Sequence, residues 1–326
     1  MVIANPCIKA GSTASGKFRY IAGFTLVLYR HPPKRAMTHP IPQALQGIRI
    51  LSLALNLPGP AALMRCARMG AACTKLEPLA APGQDSADPM GLYSPQAYGQ
   101  MHTGVRVLQA HLKTEAGQAA LHAELAHTDV LITSFRPSAL AKLGLDWDGL
   151  HARYPRLSLV RIVGALGERA EEPGHDLTYQ AEAGLVTSEQ TPPSLYADMA
   201  GALMTSEAVL QALQARAQGG TGVCIEIGLA EAAQWLALPL HWGLTAREGD
   251  VGGAHAGYRV YPCKDGRVAV AALEPHFAAR LCAAAGLPAQ GDVEAGVAHL
   301  QCQPGSARAN AASASAWAAS AFKQGM

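Results

Sequence analysis

The feature that most constrains this chain is the regular alternation of apolar runs and helix-type segments between residues 47 and 170. Gly47-Ile48-Arg49-Ile50-Leu51-Ser52-Leu53 reads as a buried strand. A loop, Asn56-Leu57-Pro58-Gly59-Pro60, leads into a helix over 61–69 that Gly70 can cap. Residues 71–76 form a second strand ending at Glu77-Pro78, so the opening is strand, helix, strand: a crossover that makes the strands parallel. Residues 79–97, rich in Pro, Gly, Asp and Ser, are expected as loop. The alternation resumes with a strand at 106–112, a helix at 114–126 and a strand at 130–134. A short helix at 140–143, ended by Gly144, and a strand at 157–163 complete it. This is the pattern of a doubly wound α/β domain.

Beyond it the pattern changes. An Ala-rich helix over 196–216 and a strand at 223–227 precede a helix at 229–243 that carries Trp235 and Trp242. Residues 258–262 and 267–273 then read as a β-hairpin about a turn at Lys264-Asp265-Gly266. The switch from βα repetition to a hairpin predicts a large α/β domain over 37–244 and a smaller α+β domain over 245–290. An atypical Ala/Ser-rich tail fills 291–326. Residues 1–36 are expected to be a non-native or disordered extension. Their apolar run at 20–29 is too short to span a bilayer and has no cleavage site after it, which favours translation from Met37.

Composition bounds the function. Hydrophobic residues make up 49% of the 326 and charged residues 15%, enough to bury a sizeable core. A net charge of +2 gives no reason to expect nucleic acid as partner. Seven cysteines are scattered without a C-x-x-C pair, which fits reduced thiols in a cytoplasmic protein and neither a disulfide framework nor a zinc site. His111, His151, His241 and His255 lack metal-ligand spacing, so no metal is expected. No segment reads as membrane-spanning, and no membrane partner is expected.

Chemistry concentrates in Pro173-Gly174-His175-Asp176-Leu177 and in Asp198 of Ser194-Leu195-Tyr196-Ala197-Asp198-Met199. Asp176 could attack an activated acyl group, His175 could take a proton beside a carbonyl, and Asp198 could return one to the opposite face. Each has a plain structural reading too. A His-Asp pair is often a surface ion pair or a turn, and Asp198 before an Ala-rich helix suits an N-cap. Glu274, at the end of the apolar run 268–273, is a further carboxylate candidate, or an ordinary solvated loop residue. Arg136 and Lys142 follow the strand at 130–134. In open α/β sheets ligands bind outside the carboxyl ends of strands, and two cations there suit phosphate. Neither GxGxxG nor GxxxxGK[ST] is present.

Taken in order, several stretches resemble the class III CoA-transferase family, which includes the carnitine dehydratase-like/bile-acid-inducible proteins and the α-methylacyl-CoA racemases. They are Leu45 to Leu51, Pro58-Gly59-Pro60, Lys75-Leu76-Glu77-Pro78, Lys113-Thr114-Glu115, and Phe135-Arg136-Pro137. Lys142-Leu143-Gly144-Leu145, Gly174-His175-Asp176, Tyr258-Arg259-Val260-Tyr261, and the run from Val268 to Phe277 continue the series. The resemblance covers most of 45–287 and is not seen in the tail after 290, where the family's C-terminal segment is expected to be missing. It implies a Rossmann-like large domain, interlocked homodimers and an acyl-CoA substrate, with no permanently bound cofactor.

In the transferase branch the residue matching Asp176 attacks the acyl-CoA. An acyl-aspartyl anhydride and then an aspartyl-CoA thioester form, and CoA passes to a carboxylic acid acceptor. In the racemase branch the residues matching His175 and Asp198 move the α-proton, and the carboxylate matching Glu274 supports the histidine. Arg136, Lys142, Lys113 and Arg106 match positions that would contact CoA, and Tyr179 would lie along its pantetheine arm. The family's Asn-Arg-x-Lys stretch is replaced by His102-Thr103-Gly104-Val105, which removes two phosphate-binding cations. CoA transfer is the leading expectation and 2-methylacyl-CoA racemisation the alternative. A non-catalytic CoA-binding dimer is a third reading.

Overall fold

The structure is a computed structural model that describes residues 8–13, 16–21, 24–28, 42–249, 251–263 and 266–284. The expected turn residues Lys264 and Asp265 and the tail from 291 lie outside them. The chain divides into two compact units, His39–Leu238 and a second drawn from Met1–Thr38 and Pro239–Met326.

The second unit carries an antiparallel sheet. Strands β1 (Ile8–Thr13), β2 (Gly16–Ile21) and β3 (Phe24–Leu28) come from the segment read in sequence as an extension. They join the expected hairpin near the other end of the chain in the order β1-β2-β3-β11-β10.

The first unit is built on six parallel strands. They are β4 (Arg49–Ser52), β5 (Ala72–Glu77), β6 (Arg106–Gln109), β7 (Val130–Thr133), β8 (Ser158–Val163) and β9 (Cys224–Gly228). Their spatial order is β6-β5-β4-β7-β8-β9. In order of appearance this is 3-2-1-4-5-6, the doubly wound arrangement, whose ligand crevice opens where β4 and β7 send their connections to opposite sides. The α/β expectation therefore holds for this unit.

The apolar runs were continuous because both faces of the sheet are covered. Ile50, Val130, Ile132, Val160 and Ile162 pack on one face with Leu63 and Cys66 of α1 (Pro58–Arg68). Leu51, Leu131 and Leu159 point to the other face, toward residues of α4 (Glu115–Leu125), α5 (Pro137–Lys142) and α6 (Trp147–Arg153). Side chains alternate across a strand, so neighbours in one run serve opposite cores.

Two departures matter for the site. Residues 79–97, expected as loop, contain α2 (Pro89–Tyr93) and the start of α3 (Pro95–Met101). Asp88 and Ser94 cap these helices through their side chains, and a proline stands at the first helical position of each. Helices this short show no apolar period, which hid them. Further on, α7 (Asp176–Glu182) starts at the candidate nucleophile, and α8 (Tyr196–Gly219) runs 24 residues to Gly220, whose φ of 80° terminates it. The helix α9 (Leu229–His241) carries Pro239, where the two units divide. In the second unit β10 (Tyr258–Cys263) and β11 (Gly266–Ala271) form the hairpin, and α10 (Pro275–Ala284) follows.

Candidate active site

The loops after β4, β7 and β8 meet the amino ends of α1, α7 and α8 around a cleft of about 380 Å³. Leu55 to Pro58 come from the first loop, Ser134 and Arg136 from the second, and Pro173 to Asp176 from the third. The cleft therefore lies at the carboxyl ends of the strands, at the switch between β4 and β7.

His175, Asp176, Tyr179, Asp198 and Arg136 all line it. Asp176 is the first residue of α7 and is 5% exposed. Its Oδ1 accepts the backbone N–H of Asp198 at 3.0 Å, and its Oδ2 accepts a hydrogen bond from the Gln180 side-chain amide. The first amides of a helix have no partner within it, and Asp198 N–H is such an amide: the first bond inside α8 runs from Met199 N–H to Leu195 C=O. Asp198 is thus not the N-cap that the sequence suggested. Leu195 holds that position, and the Asp198 side chain sits in the first turn, free for other work. Burial, and then the charge of Asp176 beside it, push the Asp198 carboxyl up to about 7.

His175 is the N-cap of α7. The Thr178 hydroxyl accepts from its backbone N–H at 3.2 Å and donates to its carbonyl at 2.7 Å. The residue is exposed and lines the cleft. A Cβ on Gly174 would stand 2.2 Å from the Tyr179 hydroxyl, and one on Gly164 2.4 Å from it. The two glycines make room for Tyr179, whose phenol is raised in pKa by burial first and by Asp198 next.

The other expected residues are spread more widely. Lys142 ends α5 and Lys113 lies in the loop after β6; both are exposed, and neither lines the cleft. Arg106 opens β6 at the amino edge of the sheet, where it pairs with Glu124 beside a separate pocket. Glu274 precedes α10 in the other unit, and its carbonyl accepts from Phe277 N–H and Ala278 N–H. His102, which stands at the Asn position of the resembled pattern, is buried, and its Nδ1 lies 2.7 Å from the Tyr98 carbonyl. Among the described residues no group of three or more His, Cys, Asp or Glu side chains could hold a metal. No helix there is long and apolar enough to cross a membrane.

Sequence reading missed Gln180 and Asn56. Gln180 follows Asp176 by four, one helical turn, but that spacing has meaning only once the helix start is known. Asn56 lines the cleft with φ 64°, the left-handed region that a non-glycine residue rarely adopts.

A buried carboxylate with a second carboxyl of raised pKa beside it, at the switch point of a doubly wound sheet, is an arrangement suited to acyl or proton-transfer chemistry. The model of CoA-transferase family III matches residues 45–321. The chain belongs to that family, as its ordered motifs implied. The match runs past residue 290, which corrects the expectation that the tail does not resemble the family.

Among its relatives is a probable fatty acyl-CoA transferase, Rv3272, of Mycobacterium tuberculosis, 28% identical over 75% of this chain and 69% of the relative. Human α-methylacyl-CoA racemase is 29% identical over 72% of this chain and 63% of its own length. Succinate–glutarate CoA-transferase of Agrobacterium fabrum is 30% identical over 77% and 68%. A crystal structure of Rv3272 superposes with a TM-score of 0.63 at 26% identity, covering 77% of this chain and 70% of that one. The chain thus spans roughly two thirds of the length of these relatives.

Proposed function

We propose that this protein transfers CoA between carboxylic acids, with Asp176 as nucleophile. The observation that carries the reading is the seating of Asp176: buried, at a helix start, with each oxygen held by an N–H donor at the edge of an open cleft. Asp176 attacks the thioester carbonyl and releases CoA as thiolate, leaving an acyl-aspartyl anhydride. The thiolate then takes the aspartyl carbonyl and frees the first acid, and the acceptor acid reverses the sequence. Arg136, exposed on the cleft, is the cation placed for a CoA phosphate. CoA thioester is substrate here and not a resident cofactor, and the working form is a cytoplasmic homodimer.

A second reading is favoured by one observation. Asp198, pushed up to about 7, and His175 line the same cleft. An imidazole and a carboxyl of raised pKa on one cleft suit α-proton exchange on a 2-methylacyl-CoA. The deciding experiment incubates a chiral 2-methylacyl-CoA with the protein in deuterated water and adds hydroxylamine to a parallel sample. Hydroxamate formed at Asp176 without deuterium at the α-carbon supports transfer. Deuterium incorporation without trapping overturns it for racemisation.

A further inference from the structure

The CoA-transfer reading asks something of Asp176 that proton exchange does not. Its carboxyl must itself become an electrophile, once when CoA thiolate displaces the first acid and again when the acceptor carboxylate displaces CoA. In each step a nucleophile adds to the aspartyl Cγ, the electron pair of the carbonyl moves onto one Oδ, and then returns as the leaving group departs. Catalysis of that step needs a donor already aimed at that oxygen.

We infer that Gln180 is a catalytic residue, the donor that stabilises the oxyanion formed on Oδ2 of Asp176 in those two steps. The inference rests on the transfer reading above. One N–H of the Gln180 amide donates to Asp176 Oδ2 and the other to the Ser194 carbonyl at 3.2 Å. A flipped amide would set its oxygen against two acceptors, so the donor orientation is fixed by its neighbours. Gln180 is 1% exposed, and its Oε1 has no partner among the described residues. This side chain therefore keeps its hydrogen bonds on the donor side, toward the nucleophile.

The two oxygens of Asp176 differ in what stands behind them. Asp198, whose N–H holds Oδ1, lines the cleft; Gln180, which holds Oδ2, does not. Oδ1 is then the oxygen that attacks the thioester and departs with the first acid, and Oδ2 stays as the carbonyl throughout. Electrons and atoms balance with CoA thiolate and the two carboxylic acids alone. The first attack puts the oxyanion on the substrate's acyl carbon, outside the reach of Gln180. The two halves of the reaction should separate.

The test is single-turnover quenching of the full chain with a panel of carbonyl-labelled straight-chain and 2-methyl acyl-CoA thioesters. Acyl-anhydride and aspartyl-CoA on the Asp176 peptide are quantified separately. Gln180→Met keeps length and removes the donor; Gln180→Glu keeps the outline and is the second variant should the first not fold. Acyl-anhydride should form at nearly the wild-type rate, while aspartyl-CoA should form roughly 10²- to 10³-fold more slowly, so that anhydride accumulates. Equal slowing of both adducts overturns the inference, because Gln180 would then only seat Asp176. Wild-type protein that forms neither adduct with any thioester overturns the transfer reading, and the inference with it.

Discussion

Two of the carboxylate pairs in the large unit are finished differently. Glu77 and Asp88 enclose Lys75, which is 0% exposed and pairs with both, at 3.3 Å from Glu77. Ser86 and Tyr98 add hydroxyl donors to Glu77, and the Lys75 ammonium lies 5.0 Å from the Tyr98 ring centre. Asp176 and Asp198 form no ion pair among the described residues; N–H groups hold the first, and burial drives the second toward its neutral form. A carboxylate pair closed around a cation braces the fold. A pair left without one is held ready for chemistry, because its proton and its lone pairs remain available.

The largest effect that would break this comparison is loss of Asp176, the proposed nucleophile. Asp176→Ala should lower CoA transfer by about 10⁴-fold or more, as removal of a covalent nucleophile does elsewhere, and leave the urea midpoint little changed. Progress curves for transfer beside a urea titration check it. A variant that unfolds while its residual transfer stays high would make Asp176 a bracing residue like Glu77.

The converse change is in the other pair. Lys75→Met leaves two buried carboxylates without their cation and should destabilise the protein by roughly 3–5 kcal/mol, read as a shift in the denaturation midpoint. It should also reach the cleft. Asp88 Oδ1 accepts the amides of Asn56 at 3.1 Å and of Met90 at 2.9 Å, and both residues line the cleft. A raised KM for acyl-CoA with kcat kept is therefore expected under conditions where the variant is folded. Unchanged stability would remove the distinction between the two pairs.

How far the sequence foretold these pairs differs for physical reasons. The sheet was legible because its central strands β4, β5, β7 and β8 are largely buried on both faces, and continuous apolar runs record that. Asp176 and His175 were picked for their side-chain chemistry after a Gly turn and Arg136 because it follows a strand; all three line the cleft, whereas Lys142, picked by the strand rule, does not. Arg106 opens a strand, so it lies at the opposite edge. The Lys75 pair was not read at all. Its members are spread over residues 75–88 and meet only because short helices capped by Asp88 and Ser94 fold back over the end of β5, and no periodicity announces helices of five and seven residues. Gln180 was hidden for a related reason: its turn-spaced link to Asp176 needs a helix boundary that the short mixed run 176–182 does not reveal.

A smaller effect would sharpen what the open pair is for. Arg136→Ala should raise KM for acyl-CoA by roughly tenfold or more, the loss of a charge-assisted hydrogen bond, and leave the Lys75 pair and the denaturation midpoint untouched. An equal rise in KM for a pantetheine thioester lacking the CoA phosphates would sever Arg136 from phosphate binding.

The smallest effect reads the open pair through stability instead of activity. The folded-state pKa of Asp198 stands at about 7 against 3.8 for the free side chain, with burial the larger cause and Asp176 the smaller. Between those values the folded protein keeps a proton that the unfolded chain has released, so this group makes stability fall as pH rises from about 4 to 7. Above 7 both states are ionised and its contribution is lost. Asp198→Asn should flatten that part of the pH–stability curve. Asp176→Ala should flatten it only in part, since burial remains when the neighbouring charge is gone. If the alanine variant flattened the curve as fully as the asparagine one, charge repulsion and not burial would hold the proton on Asp198. The open pair would then be a coupled dyad instead of two groups with separate duties.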